Sequence, residues 1–273
     1  MTQPASAAAA QWLEDEHAAG RDFKPLGADL LPASMGQAYD VQDALVAARV
    51  AAGGGARAGF KIALTTPAMR KFVGYDNSIA GQVLAGGVHQ SPATVRLGRY
   101  RHLLFECELA FLLGADLAPG APASRAAMAD AIEAVCPAFE LADDRHADYA
   151  KFGADGGATL HTLAADNAWN SGVVLGAWVR DWRGLDLGAV RGVARVNGAP
   201  VGEGFGRDVL GHPLDAMVWI ASHLHARGVT LKRGEFVITG SLITSKFPQA
   251  GDRVDFTVDG LGAVMMKVGM RSR

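Results

Sequence analysis

Residues 101–113 read RHLLFECELAFLL and stop at Gly114, and this run decides the fold. It is a long strand with apolar residues on both faces, the pattern of a strand buried inside a sheet. Successive strand side chains alternate, so Glu106 and Glu108 project from the same face. Two like charges side by side among Leu103, Leu104, Phe105, Leu109, Ala110 and Phe111 each cost several kcal/mol unless something positive compensates them. A hard divalent cation such as Mg²⁺ or Mn²⁺ suits an all-oxygen site and keeps positions open for water or substrate. The alternative is an exposed sheet face whose acids pair with Lys or Arg.

Moving outward, Ala138-Phe139-Glu140-Leu141 after Pro137 reads as a second apolar strand, and Glu140 is either a third carboxylate for the same site or a single edge-strand acid. Lys61, within GFKIAL, either snorkels its ammonium to water or lies near a carboxylate or a metal-bound substrate. Asp143, Asp144 and Arg145 read as a solvated charge cluster, and Asp166-Asn167 as turn residues that bond their own backbone. Thr239-Gly240-Ser241-Leu242 is either a plain strand-end turn or a set of hydroxyls and glycine backbone for a substrate carboxylate. His212 reads as a helix-start residue.

The rest of the 273-residue chain interleaves helices and strands. Helices are expected over Ala5–Ala18 and Gln37–Ala52, the second ended by Gly53-Gly54-Gly55. A further helical pattern spans Ala126–Val135, and the clearest helix starts at Pro213 and closes at Gly228. Strands are expected at Gly59–Leu64, Ser171–Arg180, Ala194–Val196, Glu235–Gly240, Arg253–Val258 and Ala263–Val268, with Asn197-Gly198 as a hairpin turn. The polar, aperiodic stretch Arg145–Thr162 reads as a long surface loop or lid. The chain thus divides into an N-terminal helical extension, 1–55, and a catalytic domain, 56–273, that together form one structural unit.

Composition excludes several classes. Lys plus Arg number 26 against 28 Asp plus Glu, so no basic field exists to hold nucleic acid. No apolar run is long enough to span a membrane, and MTQPASAAAAQWLEDEH lacks the basic start of a secretory signal. Cys107 and Cys136 are the only cysteines, which suits a reducing compartment and a cytoplasmic location. No nucleophile elbow, phosphate-binding loop or dinucleotide fingerprint appears in a credible context.

Taken in order, GFKIALT, FECELAFLLGADL, PAFELADDR, ADNA, VLGHPLDAMVWIA, GVTLKRGEFVITGSL and AGDRVDFTVDGLGAV resemble the hydratase and decarboxylase branch of the fumarylacetoacetate hydrolase superfamily, over about residues 37–268. The resemblance implies a mixed α/β fold around a rolled mixed β-sheet, assembled as a homo-oligomer. It implies Mg²⁺ or Mn²⁺ on Glu106, Glu108 and Glu140, with Lys61 and Asp76 as the catalytic candidates and Thr239 and Ser241 lining the substrate site. The implied activity is a metal-dependent lyase, a hydratase acting on a small 2-hydroxy-dienoate or 2-oxo-enoate acid as in aromatic meta-cleavage catabolism. Decarboxylation of a 2-oxo-dicarboxylate, C–C hydrolysis with His146 or His161 as base, and a non-catalytic acid-binding paralogue are the alternatives. Two segments depart from the branch: Ile79 stands where a second aspartate is usual after Asp76, and Trp169-Asn170 replace a serine pair.

Overall fold

The computed structural model describes residues 4–117 and 124–270. In chain order its elements are α1 (Pro4–Ala18), α2 (Met35–Arg49), β1 (Arg57–Ala63), α3 (Pro67–Val73), β2 (Ile79–Leu84), β3 (Val88–Gln90), β4 (Ala93–Arg96), β5 (Leu103–Leu113), α4 (Arg125–Ala131), β6 (Ile132–Asp143), α5 (Ala158–Ala165), β7 (Asn170–Leu175), β8 (Arg191–Val196), β9 (Ala199–Phe205), α6 (Pro213–Ala226), β10 (Phe236–Ile238), β11 (Arg253–Val258) and β12 (Gly262–Gly269). One mixed sheet has seven strands in the order β2-β1-β10-β5-β6-β7-β3, and a second has five in the order β4-β12-β11-β8-β9. This is the mixed α/β architecture with curled sheets that the sequence leads one to expect.

Strand parity organises the interior. On β5 the odd-numbered Phe105, Cys107, Leu109, Phe111 and Leu113 join a core with Phe139 of β6 and with Val254, Phe256 and Val264 of the second sheet. Phe105 packs edge-on against Phe139 at 5.5 Å between centroids, and Phe139 lies 6.5 Å from Phe256. The even-numbered residues face the other way: Leu104 and Ala142 enter a cluster with Phe152, Leu163 and Trp169, and Ala110, Cys136 and Ala138 enter another. Glu106, Glu108 and Glu140 share this second face.

Local chemistry sets the ends of the elements. The Thr66 hydroxyl accepts from the Met69 N–H, Pro67 opens α3 and Gly74 closes it in the left-handed region, at φ 69°. In α6, His212 Nδ1 accepts from the Leu214 N–H ahead of Pro213. Asn197 and Gly198 both take positive φ (53° and 83°), as a two-residue hairpin between β8 and β9 requires.

Several expected boundaries move. The helix before Pro137 ends at Ala131, and β6 begins at Ile132, because strand pairing with β5 extends back to Leu113↔Ile132. The strand after Trp169 stops at Leu175 and does not reach Arg180. The α2 helix ends at Arg49, followed by one wide turn over Val50–Gly54. The N-terminal helices pack onto the rest of the chain: Ala9, Leu13, Val41 and Leu45 form a cluster with Ala164 and Ala165 of α5, and Gln42 Nε2 donates to the carbonyls of Ala80 and Ala164.

The largest departure concerns Arg145–Thr162, which is neither polar surface nor lid throughout. Arg145, Asp143 and Asp144 are buried, not solvated. Arg145 Nη2 donates to Asp166 Oδ2 at 2.6 Å, and Asp166 Oδ1 is 2.6 Å from His17 Nε2 on α1. Nor are Asp166 and Asn167 a self-bonding turn: the Asn167 amide exchanges two hydrogen bonds with the backbone of Gln82 on β2. Burial pushes the Asp166 carboxyl up, but His17, Arg145 and Arg49 outweigh it and hold it below the ordinary 3.8.

Asp166→Ala leaves the Arg145 guanidinium buried without its carboxylate and is expected to cost about 3–5 kcal/mol in urea unfolding. Because the folded carboxyl titrates lower than the unfolded one, its contribution is fully present above pH 3.8 and is lost on acidification below it. An unchanged unfolding midpoint in the variant contradicts this role.

Candidate metal centre and active site

The carboxylates are brought together by register. Glu106 lies directly opposite Glu140 in the antiparallel β5–β6 pair, and Glu108 is two residues further along the same face. One carboxylate oxygen from each lies within 4.8 Å of those of the other two. Lys61 of β1 is level with Ile238 of β10, which is level with Ala110 of β5, so the lysine shares this face. Lys61 Nζ is 3.1 Å from Glu140 Oε1, and its side chain is 3% exposed: it does not snorkel.

Each glutamate has one oxygen held by the protein. Glu108 Oε2 accepts from the Gly240 N–H at 2.7 Å, Glu140 Oε1 accepts from Asn170 Nδ2 at 2.9 Å, and Glu106 Oε1 accepts from the Ser245 hydroxyl. The remaining oxygens of Glu108 and Glu140, Oε1 and Oε2 respectively, are buried without a hydrogen-bond partner. Such groups are rare, because an unpaired buried acceptor bears its full desolvation cost. Three carboxylates against one ammonium leave two uncompensated negative charges, the charge of one divalent cation. The span of the oxygens also suits one ion, since ligands on opposite sides of Mg²⁺ or Ca²⁺ are roughly 4–5 Å apart. Donor set, charge and orphaned oxygens therefore fit a hard divalent metal.

The electrostatics agree. Burial drives the Glu108 carboxyl well above its ordinary range, with Glu140 and Glu106 adding to the push, while the Gly240 N–H and Lys61 pull it back. Burial likewise raises Glu140, against the pull of Lys61. For Lys61 burial opposes the charge, but Glu140, then Glu106 and Glu108, more than offset it, so the amine is held above its ordinary value as an ammonium. Two glycines make the fit possible. A Cβ on Gly81 would meet the Asn167 carbonyl oxygen at 2.6 Å and Lys61 Cγ at 3.1 Å, and Gly240 (φ 107°) lies where a Cβ would strike Thr65 at 2.5 Å.

A cavity of about 460 Å³ reaches this cluster at Lys61 and Glu106, with Glu108 and Glu140 buried behind them, and Ser241 is among its other lining residues. Ser241 contributes to its wall, but its hydroxyl is committed, accepting from the Cys107 N–H and donating to the Ile243 carbonyl at 2.7 Å. Thr239 does not reach the cavity: it is fully buried, its hydroxyl directed at the Leu109 carbonyl. Asp76 is exposed after α3 and is not on the cavity wall. Neither His146 nor His161 borders the cavity. His146 stacks on His102 at 4.0 Å, and His161 Nδ1 bonds the Pro32 carbonyl. Ile79, in the position of the missing aspartate, is buried in β2 among Leu64, Leu104 and Phe152.

Asn170 and Ser245 escape sequence reading because each reaches its carboxylate from a segment distant in the chain, whereas the Gly240 N–H, read from the sequence as a donor for a substrate carboxylate, is bound to Glu108. For Asn170 there is a signal: it occupies the second position of the replaced serine pair and puts an amide donor on Glu140.

Comparisons with known proteins give the family. Residues 65–269 match the fumarylacetoacetate (FAA) hydrolase C-terminal family. The chain is 30% identical over 265 residues to a 2-keto-4-pentenoate hydratase of Paraburkholderia xenovorans, covering 97% of this chain and 95% of that one. It is 29% identical over 255 residues to a 4-oxalocrotonate decarboxylase of a Pseudomonas species, covering 93% and 94%. The structure of 4-oxalocrotonate decarboxylase from Pseudomonas putida G7, complexed with magnesium and adipate, superposes with a TM-score of 0.88 at 26% identity over 98% of both chains. The chain belongs to the fumarylacetoacetate hydrolase family. Within it, the chain is an enzyme of the hydratase and decarboxylase branch.

Chelator-treated protein is expected to take up one Mg²⁺ or Mn²⁺ per chain by isothermal titration calorimetry. Asn170→Ala should weaken that binding about 10–100-fold, as loss of a ligand's hydrogen-bond partner does elsewhere. Unchanged affinity in the variant contradicts the role given to the amide.

Proposed function

We propose that this enzyme is a divalent-metal-dependent hydratase of a small 2-hydroxy-dienoate or 2-oxo-enoate acid, with Glu106, Glu108 and Glu140 as the metal ligands and Lys61 as the catalytic side chain. The single observation that carries the reading is the pair of orphaned, buried carboxylate oxygens beside a lysine at the floor of a cavity. A cation held there supplies Lewis acidity, worth several kcal/mol for an oxygen that gains charge. The Lys61 ammonium, fixed by Glu140, is the proton and hydrogen-bond donor for the substrate's C2 oxygen, where charge accumulates in the enolate. Ketonisation moves a proton to carbon, and water then adds to the conjugated enone.

Decarboxylation of a 2-oxo-dicarboxylate is the second reading, favoured by the close superposition with the decarboxylase structure. It uses the same enolate stabilisation. C–C hydrolysis loses its candidate bases, since His146 and His161 lie off the cavity.

Among the described residues no helix is long and apolar enough to cross a membrane. We further propose a cytoplasmic homo-oligomer. Two buried, unpaired cysteines support the location, and large exposed apolar side chains such as Phe247 and Met265 support burial in an assembly, which the mass in solution checks.

The decay of conjugated absorbance of 2-hydroxypenta-2,4-dienoate tests the activity. Wild type with Mg²⁺ or Mn²⁺ should consume it, chelation should stop the reaction, and Glu106→Ala should abolish it. Lys61→Met should lower kcat by about 10²–10³ while metal still binds. Metal-loaded wild type that leaves this and related dienoates untouched contradicts the proposal.

A further inference from the structure

A hydration consumes a water molecule, and a group on the cavity wall has to take the proton that this water gives up. The titratable side chains of that wall are Lys61, Glu106, Tyr149, Glu203 and Asp208. Lys61 is held as an ammonium, which has no lone pair to offer. Glu106 belongs to the carboxylate cluster, Glu203 is paired with Arg191, and Asp208 accepts from the Phe205 N–H. Tyr149 remains. It is 36% exposed, so water reaches it.

A chain of hydrogen bonds stands behind this phenol. The Tyr149 hydroxyl donates to Asp144 Oδ2 at 2.9 Å, and Asp144 Oδ1 accepts from His102 Nδ1 at 2.7 Å and from the His146 N–H at 3.0 Å. Asp144 is buried, whereas the His102 side chain is 33% exposed. The sheet places the group. Leu104 and Ala142 are paired two residues along from Glu106 and Glu140 on the same face, and His102 and Asp144 come two residues further, just beyond the last pair, Leu103 and Asp143. The imidazole and its acid therefore lie about 13 Å along the strands from the carboxylates, at 3.3–3.4 Å per residue. Leu104 and Ala142 between them pack with Phe152 and Trp169 as the aromatic end of the cavity, and the Tyr149 ring lies 6.1 Å from Phe152 and 6.0 Å from Trp169.

The direction of these bonds decides what Tyr149 offers. A hydroxyl has one proton and two lone pairs. The proton is given to Asp144, so toward the cavity the phenol can only accept. Burial, with Asp144 and Glu106 adding to it, pushes the phenol above its ordinary 10, and it works as a neutral relay. We propose that Tyr149 is a catalytic residue of the water-addition step: it accepts a hydrogen bond from the water that adds to the enone and takes that water's proton as its own passes to Asp144, with Asp144 and His102 as positioning residues. The inference rests on the hydratase reading above. As the water oxygen bonds to C4, the β-carbon of the enone, its proton moves to Tyr149 Oη, the tyrosine's proton moves to Asp144 Oδ2, and the C3–C4 π pair moves to the C2 oxygen as an enolate. Ketonisation of that enolate takes up one proton at C3, which balances the one left on Asp144.

The test separates the two halves of the reaction. Full-length, Mg²⁺-loaded protein is given 2-hydroxypenta-2,4-dienoate, and proton NMR distinguishes ketonisation to the 2-oxo-enoate from hydration to 4-hydroxy-2-oxopentanoate. Tyr149→Phe keeps the ring and its packing on Phe152 and Trp169. It is expected to ketonise the dienoate at a rate close to wild type and to lower hydration by at least about 10²-fold. Asp144→Asn should act alike: the two N–H donors at Oδ1 require its oxygen there, so its NH₂ faces the phenol and turns the hydroxyl proton into the cavity. Binding gives a second readout by calorimetry. The hydroxyl of 4-hydroxy-2-oxopentanoate comes from the added water, so Tyr149→Phe should weaken this ligand by about two- to tenfold and leave 2-oxopentanoate, which lacks it, unchanged. Hydration by Tyr149→Phe at the wild-type rate, or an equal fall in ketonisation and hydration, overturns the inference and leaves the hydratase reading standing. Wild-type enzyme that forms no hydrated product overturns that reading, and this inference with it.

Discussion

Everything in this structure accommodates one electrostatic demand, that three carboxylates face one another on a buried sheet surface. Glu106 and Glu140 lie directly across the β5–β6 ladder, where like charges destabilise a sheet, and Glu108 adds a third. The surrounding chain meets the demand with one fixed donor per carboxylate and one buried lysine, and leaves two oxygens bare. That arrangement is poor as a stable core and well suited to a cation. The cost is borne by an unusually apolar opposite face of the same strands, where Phe105, Phe111, Phe139 and Phe256 pack between the two sheets.

Rigidity follows from where the groups sit. All three carboxylates and Lys61 are on central strands of the seven-stranded sheet, so their separations are set by the ladder and not by loops. A second buried charge system, Arg145 with Asp166, lies under the aromatic end of the cavity and ties α1, through His17, to the segment that delivers Trp169 and Asn170. The N-terminal helices thereby support the segment from which the site draws an aromatic wall and a hydrogen-bond donor.

The extent to which this was legible in the sequence follows from the range of the interactions. Alternation in FECEL places Glu106 and Glu108 on one face from local geometry alone, and PAFEL supplies Glu140 by the same logic. The hairpin at Asn197-Gly198 and the α6 start at His212-Pro213 are equally local. Arg145 and Asp166 are different: each resembles a solvated polar residue until its partner, 21 positions away, is known. The α3 helix, seven residues, is too brief to show a helical period, and β2, buried on both faces, shows no alternation. Thr239 and Ser241 follow the end of β10 at Ile238, where strand alternation no longer fixes direction: the Thr239 hydroxyl turns to the Leu109 carbonyl, while Ser241 reaches the cavity wall.

The most direct test is a crystal of the protein soaked in Mn²⁺ and measured for anomalous scattering. The account predicts a peak in contact with Glu106, Glu108 and Glu140, approached by Glu108 Oε1 and Glu140 Oε2. Saturating Mn²⁺ with no peak at these three carboxylates, or with a peak only elsewhere, would contradict it.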